Sequence, residues 1–118
     1  MNNSSDLRSP CPIAATLDLV GDKWTLLIVR DILLFNKHRY TDLAQSHEGI
    51  ATNILADRLS KLVEAGMVAR EPYQQNPIRY EYHLTNKGLD LAPVLKAMGL
   101  WAQAHVDGVA QGAPPPRL

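Results

Sequence analysis

The sequence predicts a mainly helical fold with one small β-hairpin, an α+β class. Apolar residues recur at helical spacing over most of the chain, whereas residues 79–84 alternate with the period of a β-strand. Glycines and prolines separate the segments. With 118 residues, 46% of them hydrophobic, we expect one compact domain at residues 10–108, a flexible N-terminus at 1–9 and a flexible, Pro-rich tail at 109–118.

Two helices are predicted in the first third of the chain. Pro12 suits the first turn of a helix that Gly21 ends. Asp22 is placed to cap a second helix, which runs to about Phe35.

A short helix at residues 40–46, a turn at 47–49 and a longer helix at 50–65 follow in helix-turn-helix order. The apolar residues of the longer helix fall on one side, namely Leu55, Leu59, Leu62 and Val63. The opposite side carries no group bulky enough to keep the helix out of a DNA groove. Its residues are Asn53, Ala56, Asp57, Ser60, Lys61 and Glu64.

Two strands are predicted next, at residues 67–71 and 79–84. The polar segment 72–77 between them is bounded by prolines and is read as a loop too long for a two-residue turn, which suits a projecting wing. Thr85 is placed to cap a long final helix that Pro93 would kink or break. This order is that of a winged helix-turn-helix, in which the longer helix enters the major groove and the wing touches the DNA backbone.

The polar side of the longer helix offers base-reading chemistry as well as charge. Asn pairs bidentately with adenine, Arg with guanine, and Asp accepts a hydrogen bond from cytosine. Because the N-terminal half of such a helix usually meets the bases, the expected base or adjacent-phosphate contacts are Thr52, Asn53, Asp57 and Arg58. The expected backbone contacts are Lys61 and Arg39 and, at the wing, Gln74, Gln75, Asn76 and Arg79.

Each expected contact has a structural alternative. Any amphipathic helix presents a polar face to water, and single surface charges are often only solvated. Arg58 can bridge Asp42 or Glu64 within the fold, and Arg79 can pair with a glutamate on its own sheet.

The charge balance argues against DNA binding without excluding it. Lys and Arg total 12 and Asp and Glu total 12, so no global field draws the chain toward phosphate. Residues 51–87 carry five basic against four acidic residues. The neutral balance favours an alternative, a protein-interaction or ligand-binding module that does not bind DNA.

Several segments, in this order and spacing, resemble the HxlR-type transcriptional regulators, which are dimeric winged-helix DNA-binding proteins. The segments are residues 11–12 (CP), 17–28 (LDLVGDKWTLLI), 39–43 (RYTDL), 53–59 (NILADRL), 79–85 (RYEYHLT), Gly88, 93–95 (PVL) and Trp101. The resemblance spans about residues 10–106. It implies a homodimer on double-stranded DNA, with the helix at 51–65 in the major groove and repression of transcription.

The resemblance also implies that the first and last helices pair two subunits. The final helix has a wide apolar stripe that a chain this small does not readily cover, which favours a symmetric partner. Packing of the stripe on the domain's own core is the alternative. The expected interface residues are Ile13, Leu17, Leu95, Met98 and Trp101.

Cys11 suggests regulation by an oxidant or another small-molecule effector. It directly precedes a helix, and helix N-termini favour thiolate anions. The resemblance implies a cysteine that senses oxidants or electrophiles. With no second cysteine in the chain, only an intersubunit disulfide, a mixed disulfide or an adduct is open to it. A small buried apolar residue is the alternative.

An enzyme is not expected. Cys11 and four histidines supply the ingredients of a nucleophile and a base, but there is no Gly-rich phosphate loop and no metal-ligand spacing. We therefore expect no catalytic residue, metal or cofactor. No apolar run reaches the length of a membrane span and the N-terminus lacks signal-peptide features, so we expect a cytoplasmic protein without a membrane partner.

Overall fold

A computed structural model describes residues 7–112, so the expected flexible ends at 1–9 and 109–118 lie partly outside the described residues. The helices are α1 (Pro12–Val20), α2 (Thr25–Phe35), α3 (Tyr40–Leu43), α4 (Thr52–Glu64), α5 (Asn86–Leu89) and α6 (Ala92–His105), and the strands are β1 (Val68–Gln75) and β2 (Ile78–Leu84). The mainly helical fold with a two-stranded antiparallel hairpin is confirmed. No helix in residues 7–112 is long and apolar enough to cross a membrane.

The hydrophobic core lies between α2, α4 and the start of β1. The three leucines of the predicted stripe of α4 are buried, with Leu55 and Leu62 at most 1% exposed, and Val63 is partly buried. They pack with Ile28 and Val29 of α2 and with Val68 of β1. Since residues three and four apart share a face of a helix, this packing leaves the polar side of α4 in solvent.

The hairpin, which we call the wing (residues 68–84), differs from the prediction. The segment read as a six-residue loop is mostly strand, because β1 continues to Gln75 and pairs with Ile78. Only Asn76 and Pro77, joined by a cis peptide bond, lie between the strands. Pro72 is accommodated next to an irregularity in the pairing, and both strands of a two-stranded sheet are edges where a missing N–H is tolerated.

The predicted long final helix is broken into α5 and α6. Thr85 caps α5 as expected, because its hydroxyl accepts a hydrogen bond from the Gly88 N–H. Pro93 lies in the first turn of α6, where a proline needs no intrahelical hydrogen bond. α6 has 14 residues and none of them is buried.

Candidate nucleic-acid interface

The N-terminus of α4 is held by the two helices that precede it. The Tyr40 hydroxyl of α3 donates to the Thr52 carbonyl at 2.8 Å. Arg30 of α2 forms two hydrogen bonds of 2.7 and 2.8 Å with Glu48, in the turn before α4. These bonds from Arg30 lower the pKa of Glu48 and, through the same contact, raise the pKa of Arg30. The position of α4 is therefore fixed by paired polar groups as well as by its leucines.

The exposed face of α4 contains the predicted base-reading residues, but its two cations and Asp57 are engaged in ion pairs. Thr52 and Asn53 are exposed at the N-terminal end. One turn further on, Lys61 lies 3.3 Å from the carboxylate of Asp57, which also accepts a hydrogen bond from Arg58. Hydrogen bonds from Lys61 and then from Arg58 lower the pKa of Asp57. The uncharged side chains at the start of α4 are therefore its freest polar groups.

Arg58 bridges α4 to the turn between α1 and α2. Its Nε donates to Asp22 at 2.9 Å, so the predicted alternatives of Asp42 or Glu64 as its bridging partner were wrong. The sequence did not indicate this pair because its members are 36 residues apart and the fold alone brings them together.

Asp22 also holds the start of α2, as predicted. It accepts hydrogen bonds from the backbone N–H groups of Trp24 and Thr25 at 3.0 and 3.1 Å. Burial by itself raises the pKa of Asp22, but hydrogen bonds from the Thr25 hydroxyl, from Arg58 and from these N–H groups lower it to about 2. One carboxylate thus ties the first turn of α2 to the middle of α4.

The base of the wing is tied to the segment before α3. The Arg39 Nε lies 3.2 Å from a carboxylate oxygen of Glu81, and its guanidinium carbon lies 3.9 Å from the centre of the Tyr73 ring. The His38 carbonyl accepts a 2.6 Å hydrogen bond from the Tyr82 N–H, and the rings of His38 and His83 are stacked with their centres 4.4 Å apart. Arg39 therefore faces the wing, and it is engaged there in the free protein.

The predicted wing contacts lie at the far end of the hairpin. Gln75, Asn76 and Arg79 are exposed, and Gln74 donates a 3.1 Å hydrogen bond to the Pro77 carbonyl. Among residues 7–112, Arg79 has no ion-pair partner, so the predicted alternative of a pair with a glutamate of its own sheet is not observed; Glu81 pairs with Arg39 and His83 instead. Hydrogen bonds from His83 and then from Arg39 lower the pKa of Glu81.

Arg70 is a candidate residue that sequence reasoning missed. It is exposed on β1, directly opposite Tyr82 on β2, and its guanidinium carbon lies 4.5 Å from the centre of the Tyr80 ring. Strand alternation places it on the face of the hairpin opposite that of Glu71. That alternation was the available signal, since Arg70 lies in the strand predicted at residues 67–71, but the sequence alone does not show which face of the hairpin meets α4.

The outer faces of α1 and α6 carry the predicted interface residues. Ile13 and Leu17 of α1 are 73% and 56% exposed, and Met98 and Trp101 of α6 are 52% and 63% exposed. Leu95 differs, because it packs against the domain's own core.

Cys11 is exposed immediately before α1, so the alternative of a buried apolar residue is not observed. No cluster of potential metal ligands occurs in the part of the chain that is described.

Comparisons with known proteins agree with this geometry. The family model described as HxlR-like helix-turn-helix matches residues 19–109. The uncharacterized HTH-type transcriptional regulator Rv3095 of Mycobacterium tuberculosis is 38% identical over 94 residues, which are 80% of this chain and 58% of that protein. The chain thus spans little more than half the length of this relative.

Two solved structures are similar to this chain over most of its length. PA1607, described as a candidate transcription factor, is 36% identical with a TM-score of 0.77, covering 94% of this chain and 83% of its own. The redox regulator HypR in its reduced form is 32% identical with a TM-score of 0.70, covering 82% of this chain and 95% of its own.

Proposed function

Because the chain belongs to the HxlR-like helix-turn-helix family, whose relatives are named as transcriptional regulators, we propose that it represses transcription as a homodimer on a partly palindromic operator. That it is a DNA-binding regulator and not an enzyme follows from the family. The proposed site of action is the cytoplasm, where repression would result from occlusion of RNA polymerase.

The observation that carries the proposal is the exposed polar face of α4 next to a projecting wing. The proposed base contacts are Thr52 and Asn53, with Lys61 at an adjacent phosphate. Asp57 and Arg58 would reach a base only by exchanging their ion pairs, so we assign them first to positioning α4. At the wing, the proposed backbone contacts are Gln74, Gln75, Asn76 and Arg79.

The direct test is selection of binding sites from a pool of randomised duplexes. We expect enrichment of sequences with two related half-sites whose centres are about 10 base pairs, or a multiple of that, apart. Affinity for the enriched site should fall steeply with added salt. No enrichment at low salt would contradict DNA reading and favour the alternative, a protein-interaction or ligand-binding module.

The proposed dimer interface is formed by the outer faces of α1 and α6. Their exposed side chains, including Ile13, Leu17, Met98 and Trp101, leave an apolar surface on a small domain that a symmetric partner would cover. Trp101→Glu should convert the protein to monomers on a sizing column. Ile78→Glu is the matched control, since Ile78 is also exposed but lies on the wing, and it should remain dimeric. A Trp101→Glu dimer would refute this interface.

Thiol sensing at Cys11 is the proposed regulation. Cys11 is exposed and directly precedes α1, a helix of the proposed interface, and the similar HypR is named as a redox regulator. An oxidant such as diamide would take two electrons and two protons from the Cys11 thiols of two subunits, which then form one disulfide. We expect diamide to change operator affinity and to produce a reducible dimer on a denaturing gel. A response that persists in Cys11→Ser would remove Cys11 as the sensor.

A further inference from the structure

The arginines fall into two groups when their ion pairs are compared. Of the six arginines within residues 7–112, four are within ion-pair distance of a carboxylate. They are Arg8 with Asp18, Arg30 with Asp31 and Glu48, Arg39 with Glu81, and Arg58 with Asp22 and Asp57. In this part of the chain Arg70 and Arg79 have no such partner, and both lie on the wing. The chain has a net charge of zero, and within residues 7–112 both guanidinium groups that lack an ion pair therefore lie on the wing.

Arg70 lies at a surface cleft between α4 and the wing. The cleft has a volume of about 340 Å³, and Arg70 and Tyr82 line it on the wing side. Ala56, Ser60 and Glu64 line it on the side of α4, spaced one helical turn apart. These α4 residues belong to the polar face that would enter a groove, so the cleft runs along the flank of that face.

We propose that this cleft seats a backbone phosphate of duplex DNA and that Arg70 is the residue that binds it. The inference rests on the proposed DNA-binding function. An α-helix is about 10–12 Å wide and the major groove about 12 Å wide, so sugar-phosphate walls pass along both flanks of a helix in the groove. On the wing side, the flank of α4 is this cleft.

The donors in the cleft suit a phosphate. The planar guanidinium of Arg70 presents parallel N–H groups to two phosphate oxygens, and its stack on Tyr80 limits the directions it samples. The Ser60 hydroxyl is a second donor on the opposite wall. Tyr40 also lines the cleft, but the proton of its hydroxyl is already donated to the Thr52 carbonyl.

Glu64 is the one carboxylate among the residues that line this cleft, and it opposes the ligand. It forms no ion pair with Arg70 in the described part of the chain, where the guanidinium interacts instead with the neutral Tyr82 side chain and keeps its charge uncompensated. Its negative charge repels a phosphate, and removing that charge should therefore strengthen binding.

The test is the salt dependence of binding to a mixed-sequence duplex of about 30 base pairs, roughly three helical turns, followed by fluorescence anisotropy. Arg70→Gln should weaken binding roughly tenfold at low salt, and the slope of log affinity against log salt should become shallower by about 0.9 per bound subunit. Arg70→Lys keeps the charge and should restore the slope. Lys96→Gln removes an equal charge from α6, on the side of that helix away from Met98 and Trp101, and should leave the slope unchanged. Glu64→Gln should bind more tightly than the wild type.

The outcomes separate this inference from the proposed function. If the wild type binds no duplex at low salt, both are overturned. If the wild type binds and Arg70→Gln keeps the wild-type slope with an unchanged melting curve, only the phosphate contact is overturned. A Glu64→Gln variant that binds no tighter would place the phosphate outside this cleft. A shallower slope in Arg70→Gln that Arg70→Lys does not restore would also contradict a charge contact.

Discussion

The helix α4 and the wing carry the same formal charge, but the cations of the two regions differ in whether they form ion pairs. Each has two basic and two acidic residues. In α4 both cations are bound to carboxylates, Arg58 to Asp22 and Asp57, and Lys61 to Asp57. In the wing, Glu81 is engaged by Arg39, a residue outside it, and the two arginines of the wing keep no ion pair among residues 7–112.

The tasks that we propose for the two regions follow this difference. Arg58 ties α4 to Asp22 and the Lys61–Asp57 pair lies within the helix, so the proposed base contacts are the uncharged side chains of α4, above all Asn53. The proposed task of the wing is attraction to phosphate, which depends on salt and not on sequence, by its two guanidinium groups that have no ion pair among residues 7–112. Net charge alone is therefore a poor guide to DNA binding in this protein, since the arrangement of ion pairs decides which cations are available.

The largest expected effect concerns stability, because α4 is built on the core and the tip of the wing is not. Leu55 is fully buried, so Leu55→Ala should lower the free energy of unfolding by about 2–5 kcal/mol. Ile78 is 50% exposed at the start of β2, and Ile78→Ala should cost less than about 1 kcal/mol. Urea denaturation measures the free energy of unfolding of both variants. Equal losses in the two variants would contradict the difference expected between α4 and the tip of the wing.

A smaller effect is expected where α4 is tied to the turn before α2. Asp22→Asn should lower the free energy of unfolding by about 1–2 kcal/mol at neutral pH, a value reduced for partial exposure of the carboxylate. The pKa of Asp22 is lowered from 3.8 to about 2 in the folded protein. Its contribution is therefore complete above the unfolded value and is lost as pH falls from about 4 to about 2.

Urea denaturation across this pH range checks that prediction. The gap between the wild type and Asp22→Asn should close with acid. Asp90→Asn is the control, since Asp90 is an exposed carboxylate at the end of α5. A gap that stays constant down to pH about 2 would show that the ionised carboxylate of Asp22 does not stabilise the fold.

The smallest expected effect concerns Arg39, which joins the two regions. Because its guanidinium already contacts Glu81 and Tyr73, we expect Arg39→Gln to weaken DNA binding only about two- to fivefold, through a less firmly held wing. The slope of log affinity against log salt should stay unchanged. Arg39→Lys keeps the ion pair but not the stack on Tyr73, so its affinity for DNA should lie between that of the wild type and that of Arg39→Gln. A shallower slope would instead make Arg39 a phosphate contact, as the sequence predicted.

The sequence was sufficient for the parts of the fold that local patterns determine. The leucines of α4 recur at helical spacing and are buried, and Pro12, Gly21 and Thr85 mark helix ends where they were expected. The length of the wing was not predictable in this way. Prolines at both ends of its middle segment suggested a loop, whereas Pro72 is accepted at the edge of the two-stranded sheet and Pro77 lies in the two-residue turn.

The ion-pair partner of each charged side chain could not be predicted from the sequence, for a different reason. The partner of Arg58 is Asp22 and that of Arg39 is Glu81, and both pairs are more than 30 residues apart. Such pairs depend on packing between elements. Only the folded structure shows which arginines within residues 7–112 lack an ion pair. Arg70 becomes a candidate phosphate contact for that reason.

The most direct test of the division between α4 and the wing compares Asn53→Ala with Arg79→Gln, using a selected operator and a mixed-sequence duplex over a range of salt. We predict that Asn53→Ala lowers the preference for the operator by about 1–3 kcal/mol and leaves the salt slope unchanged. Arg79→Gln should weaken binding to both duplexes equally and make the slope shallower by about 0.9 per bound subunit. If Asn53→Ala changed the slope, or if Arg79→Gln changed the preference, α4 and the wing would not divide base reading and phosphate attraction between them.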